Sequence, residues 1–127
     1  MLNTVMLVGR LAQDVSIHTL DSGKEVVRIS LAVNRSFKNP DGIYEVDFID
    51  CVLWDGLAKN IHEYCKKGDT VGIRGRLQVS HYEKDDVKRK IVDVIVERMT
   101  FLGSSRESRD ESMKEEKKKT TDSKKKN

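Results

Sequence analysis

Residues 45–68, EVDFIDCVLWDGLAKNIHEYCKKG, change period halfway along. From Glu45 to Trp54 the side chains alternate: Ile49, Cys51 and Leu53 fall on one face, and Phe48, Asp50, Val52 and Trp54 on the other, the period of a β-strand. From Asp55 onward, Leu57, Ala58, Ile61, Tyr64 and Cys65 recur at helical spacing. Asp55 stands where a side chain can cap the first turn, and Lys66-Lys67-Gly68 reads as a basic last turn closed by a glycine. A strand therefore runs straight into a helix over Asp55 to Lys67.

The helix is the exception in its surroundings. Between Glu25 and Asn34, Val27, Ile29, Leu31 and Val33 share one face and Arg28, Ser30 and Asn34 the other, after a turn signal at Asp21-Ser22-Gly23. Thr70 to Tyr82 alternates again, with Val71, Ile73, Leu77 and Val79 as the apolar set and Arg74, Arg76, Gln78, Ser80 and Tyr82 as the polar one. Ile91 to Leu102 makes a last long strand after a turn around Asp85-Asp86, and Asn3 to Leu11 makes the first. The order β-β-β-α-β-β is that of an OB-fold, an all-β, five-stranded Greek-key barrel with one helix, whose outer face binds oligonucleotides or oligosaccharides.

The first strand is apolar on both sides: Val5, Leu7 and Leu11 on one, Met6 and Val8 on the other. A small barrel covers only its inner face, so the outer set calls for a second copy of the chain, with Val5, Met6 and Val8 as candidate interface residues.

Composition bounds the rest. One domain fits in 127 residues. Of the 24 Lys and Arg and 21 Asp and Glu, 9 and 6 lie in residues 104–127, where Met113 is the only apolar side chain. Such a stretch cannot bury enough surface to offset its ordering entropy, so it reads as a disordered charged tail behind a neutral folded unit over 1–103. No run is long and apolar enough to span a bilayer, and the N-terminus lacks a leader pattern, so the expected location is cytoplasmic. Cys51 and Cys65 form no CxxC pair and read as buried small hydrophobes.

Catalytic patterns are missing: His18, His62 and His81 are scattered, and no GxSxG, HExxH or Walker sequence occurs. His62, Cys65 and Cys51 fall short of the four closely paired ligands of a structural zinc site, so no metal is expected. Gly9, Gly72 and Gly75 lie inside strand patterns, where they permit bends and bulges rather than cradle phosphate. The informative set is aromatic and basic: Phe48 and Trp54 on one strand, Arg74, Arg76 and Tyr82 on another, and Arg35, Phe37 and Lys38 in the intervening loop. Bases stack on aromatic rings and cations follow phosphates, so these residues point to single-stranded nucleic acid with little sequence preference. Tyr44, Tyr64 and Phe101 lack the pattern and are assigned to the core. Lys84, Lys88, Arg89 and Lys90 flank a hairpin turn and read either as a solvated turn or as a clamp on a nucleic-acid backbone.

The blocks NTVMLVGRLAQD, ISLAVNRSF, EVDFIDCVLW, YCKKGDTVGIRGRLQ and SHYE, in order over residues 1–103, resemble bacterial single-stranded DNA-binding proteins, most nearly those of Gram-positive bacteria. The resemblance implies a homotetrameric OB-fold, nucleoid-associated, that wraps single-stranded DNA in replication, recombination and repair, with no catalysis and no cofactor. It places base-stacking on Phe37, Phe48, Trp54 and Tyr82 and phosphate contacts on Arg35, Lys67, Arg74, Arg76 and Lys84. Two features depart from the family pattern. Asp50 stands on the aromatic face where some relatives carry a cation, and the chain ends TTDSKKKN instead of in the acidic, apolar-tipped segment that recruits replication and repair proteins. A related dimeric primosome accessory protein and a protein-docking module are the alternative readings.

Overall fold

The computed structural model describes residues 1–104. The charged tail, apart from Ser104, lies outside the described residues. Six strands and one helix follow in order: β1 (Val5–Leu11), β2 (Ile17–Thr19), β3 (Glu25–Lys38), β4 (Tyr44–Trp54), α1 (Asp55–Tyr64), β5 (Thr70–Lys84) and β6 (Val87–Gly103). The five long strands close into a barrel in the order β1-β5-β6-β4-β3, with β3 returning to β1; the short β2 is an outer addition to β3. The expected OB-type barrel is present.

β1 makes the closure by pairing with two neighbours. Val5 to Arg10 run antiparallel to Thr70 to Gly75 of β5, while Arg10 and Leu11 pair with Ala32 and Leu31 of β3. β4 and β6 meet through a short parallel pairing at Cys51–Val94 and Val52–Ile95. Two glycines allow the backbones to approach. A Cβ on Gly9 would stand 2.5 Å from the Ala32 carbonyl oxygen, and one on Gly75 would run into the Ile95 carbonyl, where β5 and β6 slip register. The expectation that these glycines serve barrel geometry thus has its cause in steric contact.

Leu11, Val27, Ile29, Leu31, Cys51, Leu53, Val71, Ile73, Val94 and Val96 line the interior, and Ala58, Ile61 and Cys65 close one end of it. Both cysteines are buried and unpaired.

The helix differs from its expected form at both ends. Asp55 has a positive φ of 50°, and its Oδ1 accepts the Glu25 amide at 3.1 Å, so it ties the strand–helix corner to β3 instead of capping the first turn. Trp54 occupies the N-cap position without a side-chain cap. The helix stops at Tyr64 because Cys65 turns extended and enters the core. Lys66 and Lys67 then belong to a turn in which the Lys66 amide donates to the buried Asp69 Oδ2 at 2.8 Å and the Gly68 amide to the Leu11 carbonyl at 2.8 Å.

Two hairpins outrun the barrel. β3 and β4 extend to Lys38 and Tyr44, so Arg35, Phe37 and Lys38 lie on a strand and not in a loop. β5 and β6 pair out to Lys84 and Val87, joined by Asp85 and Asp86 at φ 53° and 62°, the signature of a type I′ turn. Leu77 and Val79 keep the expected parity yet are exposed, because beyond the closed barrel nothing stands opposite that face. Tyr44 is exposed on the other hairpin for the same reason, while Tyr64 lies on the outer side of α1 and Phe101 sits at the end of β6.

Gly75→Ala should lower stability by about 1–3 kcal/mol, since the added methyl displaces strand backbone. Gly56→Ala, where a Cβ meets nothing within 4 Å, should be neutral or slightly stabilising. Urea unfolding of the two variants beside the wild-type chain reads the contrast.

Candidate nucleic-acid interface

The aromatic side chains singled out from the sequence stand on the surface. Phe37 is 84% exposed, Phe48 66%, Tyr82 43% and Trp54 37%. Phe48 and Trp54 share parity on β4, opposite the buried Cys51 and Leu53, and are separated by about 20 Å of strand at ~3.3 Å per residue. Tyr82 lies on the β5–β6 hairpin, registered against Arg89, with Lys84 and Lys88 beside the same turn. Phe37 lies near the tip of the β3–β4 hairpin. Topology thus spreads the four aromatics over the barrel wall and two projecting arms.

The predicted cations fall into three situations. Lys67 and Lys84 are exposed, and Arg76 is partly covered. Arg74 is registered against Met6 on one side and Arg98 on the other, a pair of like charges for which an anion is a fitting counterion. Arg35 is engaged: its Nε donates to both Asp47 carboxylate oxygens at 3.1 and 3.2 Å, its Nη2 to Asp47 Oδ1 at 3.0 Å and its Nη1 to Glu45 Oε2 at 2.6 Å. Sequence reading missed this fork because Glu45 and Asp47 face Arg35 only once β3 and β4 are in register. It also missed Arg98, whose signal was its place in the last strand, and Tyr44, whose exposure depends on how far β4 outruns the barrel.

Asp50, on the Phe48 and Trp54 side of β4, lines a shallow depression with Ser30, Arg28, Cys51 and Asp93. Arg28 Nη1 stands 3.5 Å from Asp93 Oδ2, so the cation of this depression is paired with Asp93. Burial, with Asp50 and Asp93 adding to it, pushes the Cys51 thiol up to about 12, and burial likewise raises Cys65. Among the described residues no group of His, Cys, Asp and Glu is arranged to hold a metal.

On β1, Val5 turns inward and packs with Leu7 against the core, while Met6 and Val8 are exposed. Met6 and Val8 form one apolar depression with Gly72, Arg74, Thr100 and Leu102, and Val8 continues into a second that ends on Val46 and Phe48. The outer apolar set is therefore Met6, Val8 and Leu102, with Val5 on the core side.

A closed barrel capped by one helix, with exposed aromatics and cations on its wall and arms, is a β-barrel of the oligonucleotide-binding kind. Sequence comparison then assigns the family: residues 2–102 match the Single-strand binding protein family, and the chain belongs to it. It is 42% identical over 103 residues to Single-stranded DNA-binding protein B of Bacillus subtilis, covering 80% of this chain and 91% of that one. It is 46% identical over 103 residues to the Single-stranded DNA-binding protein of Bacillus cereus, but spans only 61% of that protein's length. Single-stranded DNA-binding protein 3 of Listeria innocua is 44% identical over 105 residues, 82% of this chain and 66% of that one.

Two titrations should follow from these environments. Hydrogen bonding to Arg35 holds the Asp47 carboxyl below its ordinary 3.8, so the pair's contribution to stability is complete above that value and is lost as pH falls through the lowered one. Asp47→Asn should flatten the acid limb of a urea-midpoint profile. Cys51 works in the opposite sense: raised in the folded chain, it supports stability below pH 9.0 and withdraws that support as pH climbs toward about 12. A thiol reagent at neutral pH should accordingly label Cys51 and Cys65 only after denaturation.

Proposed function

We propose that the chain binds single-stranded DNA without sequence preference and without catalysis, protecting it in replication, recombination and repair. The observation that carries this reading is the exposure of Phe37, Phe48, Trp54 and Tyr82, rings of large apolar area that the fold leaves open beside cations. Bases stack on such rings for about 1–3 kcal/mol each, and the stacking is indifferent to base identity because every base has a π-face. The names of the relatives, all single-stranded DNA-binding proteins, support the same ligand.

In this reading Lys67, Arg74, Arg76 and Lys84 take phosphates, and Arg35 joins them only where a phosphate displaces Asp47 and Glu45. The strand follows the aromatics from one hairpin across the barrel wall to the other. A second copy of the chain covers Met6 and Val8, and a homotetramer built from such contacts brings several binding faces together. The role of residues 105–127, whether added affinity for nucleic acid or recruitment of replication and repair proteins, belongs to the same proposal, as does a place at the nucleoid in the cytoplasm. No helix of the described residues is long and apolar enough to cross a membrane.

Titration with poly(dT) should quench Trp54, the only tryptophan, and the binding constant should fall with salt by a logarithmic slope of about −0.7 per phosphate neutralised. Duplex DNA at equal nucleotide concentration should quench far less. Poly(dT) that neither quenches Trp54 nor is retained on the protein in a filter assay would overturn the proposal and leave the aromatic face as a protein-docking surface. Met6→Glu should lower the mass seen by light scattering if β1 joins the copies.

A further inference from the structure

We propose that the tip of the β3–β4 hairpin is an additional nucleotide subsite, in which Tyr44 stacks on a base and Lys38 holds an adjoining phosphate. The subsite rests on the single-strand reading and extends it to Tyr44, which neither strand parity nor family resemblance selects, and gives a role to Lys38, which the sequence places in the aromatic and basic set.

Three observations converge there. Tyr44 is 52% exposed, more than Trp54 or Tyr82, and it is registered directly opposite Lys38. The Lys38 ammonium lies 5.5 Å from the centre of the Tyr44 ring, so a cation and an aromatic platform are already paired on one face of the hairpin. A ring has two faces and one cation covers one of them, which leaves the other for a base. Phe37, the most exposed of the four expected stacking residues, is the chain neighbour of Lys38. Phe37 and Tyr44 thus belong to the same projecting arm.

The charges of the hairpin single out Lys38 for the phosphate. Glu45 and Asp47 are both occupied by Arg35, which removes their competition for Lys38 and at the same time immobilises the guanidinium. Among the described residues Lys38 makes no ion pair and is the free cation of this arm; Asp41, at the turn, is the opposing charge that remains. The geometry is also held in advance. Asn39 Oδ1 accepts the amides of Asp41 at 3.0 Å and Ile43 at 2.9 Å, the Asn39 amide donates to the Ile43 carbonyl at 2.8 Å, and Gly42 takes the positive φ of 79° that the turn needs. With the Arg35 fork bracing the base of the arm, little conformational freedom remains to be lost when a ligand binds.

The test uses the full chain and poly(dT), followed by Trp54 fluorescence, with Tyr44→Leu, Tyr44→Phe and Lys38→Gln. Tyr44→Leu should weaken binding about tenfold, within the range for one stacked base, while Tyr44→Phe, which keeps the ring, should bind as the wild type does. Lys38→Gln should make the logarithmic salt slope shallower by about 0.7, the value for one phosphate on a single strand, whereas Tyr44→Leu should leave the slope unchanged. Irradiation of wild-type protein on poly(dT) carrying iododeoxyuridine should give a cross-linked peptide containing Tyr44, a readout that requires no variant to fold. Unaltered affinity in Tyr44→Leu, equal losses in the leucine and phenylalanine variants, or a cross-link map without Tyr44 would overturn the subsite. Wild-type protein that takes up no poly(dT) would instead overturn the single-strand reading, and the subsite with it.

Discussion

Closure of the sheet at β1 is the constraint on which the rest depends. One seven-residue strand has to satisfy β5 along most of its length and β3 at its last two residues, and it does so only because Gly9 lets the Ala32 carbonyl come close. The Leu11 end is then fixed from outside the sheet, its amide donating to the Asp69 carbonyl at 2.9 Å and its carbonyl accepting from Gly68. Once the ring is shut, each long strand has an inside and an outside, and the inside is filled by Val, Ile, Leu and Cys side chains with α1 stopping one end. An open sheet of the same sequence would leave that apolar set on a solvated face.

A shut barrel also leaves the outer faces without a protein partner inside the chain. Phe48 and Trp54 are outside for the same reason that Cys51 and Leu53 are inside: they alternate on one strand of a closed wall. The arms follow from strand length. β3–β4 and β5–β6 contain more residues than the barrel can use, and the surplus projects as two-stranded ribbons with both faces in water. Ribbons of this kind are marginal by themselves, and each here is reinforced, one by the Arg35 fork and the Asn39 turn, the other by the Asp85-Asp86 turn. At the base of the second arm, Asn3 extends the β1–β5 pairing with its side chain, donating to the Leu77 carbonyl at 3.0 Å and accepting the Leu77 amide at 2.9 Å.

Surface chemistry and oligomer chemistry share one sheet. Val8 borders both the depression that runs to Phe48 and the one that holds Met6, Arg74 and Leu102. A second copy seated on Met6 would therefore stand next to the aromatic wall, and the proposed assembly would extend a binding face across two chains. Arg74 and Arg98, side by side at that border, would then be the cations nearest the junction.

What the sequence determined by itself was whatever depends on period and local chemistry. Alternation over residues 45–54 and 70–82, the switch to helical spacing at Leu57, the turn at Asp85-Asp86 and the outward parity of Phe48, Trp54 and Tyr82 are readable because neighbouring residues decide them. Tertiary structure decided where the wall ends and which charges meet. Leu77 and Val79 carry a core pattern but lie past the rim, so parity says inward while nothing is there to cover them. Asp55 is recruited by Glu25, thirty residues earlier in the chain, and Arg35 by Asp47, twelve residues later, partners that exist only after β3 and β4 come into register. Tyr44 is exposed because its strand outlasts the barrel, a length no local pattern records. Burial and ion pairing are properties of elements brought together across the chain, and only the closed fold specifies which ones meet.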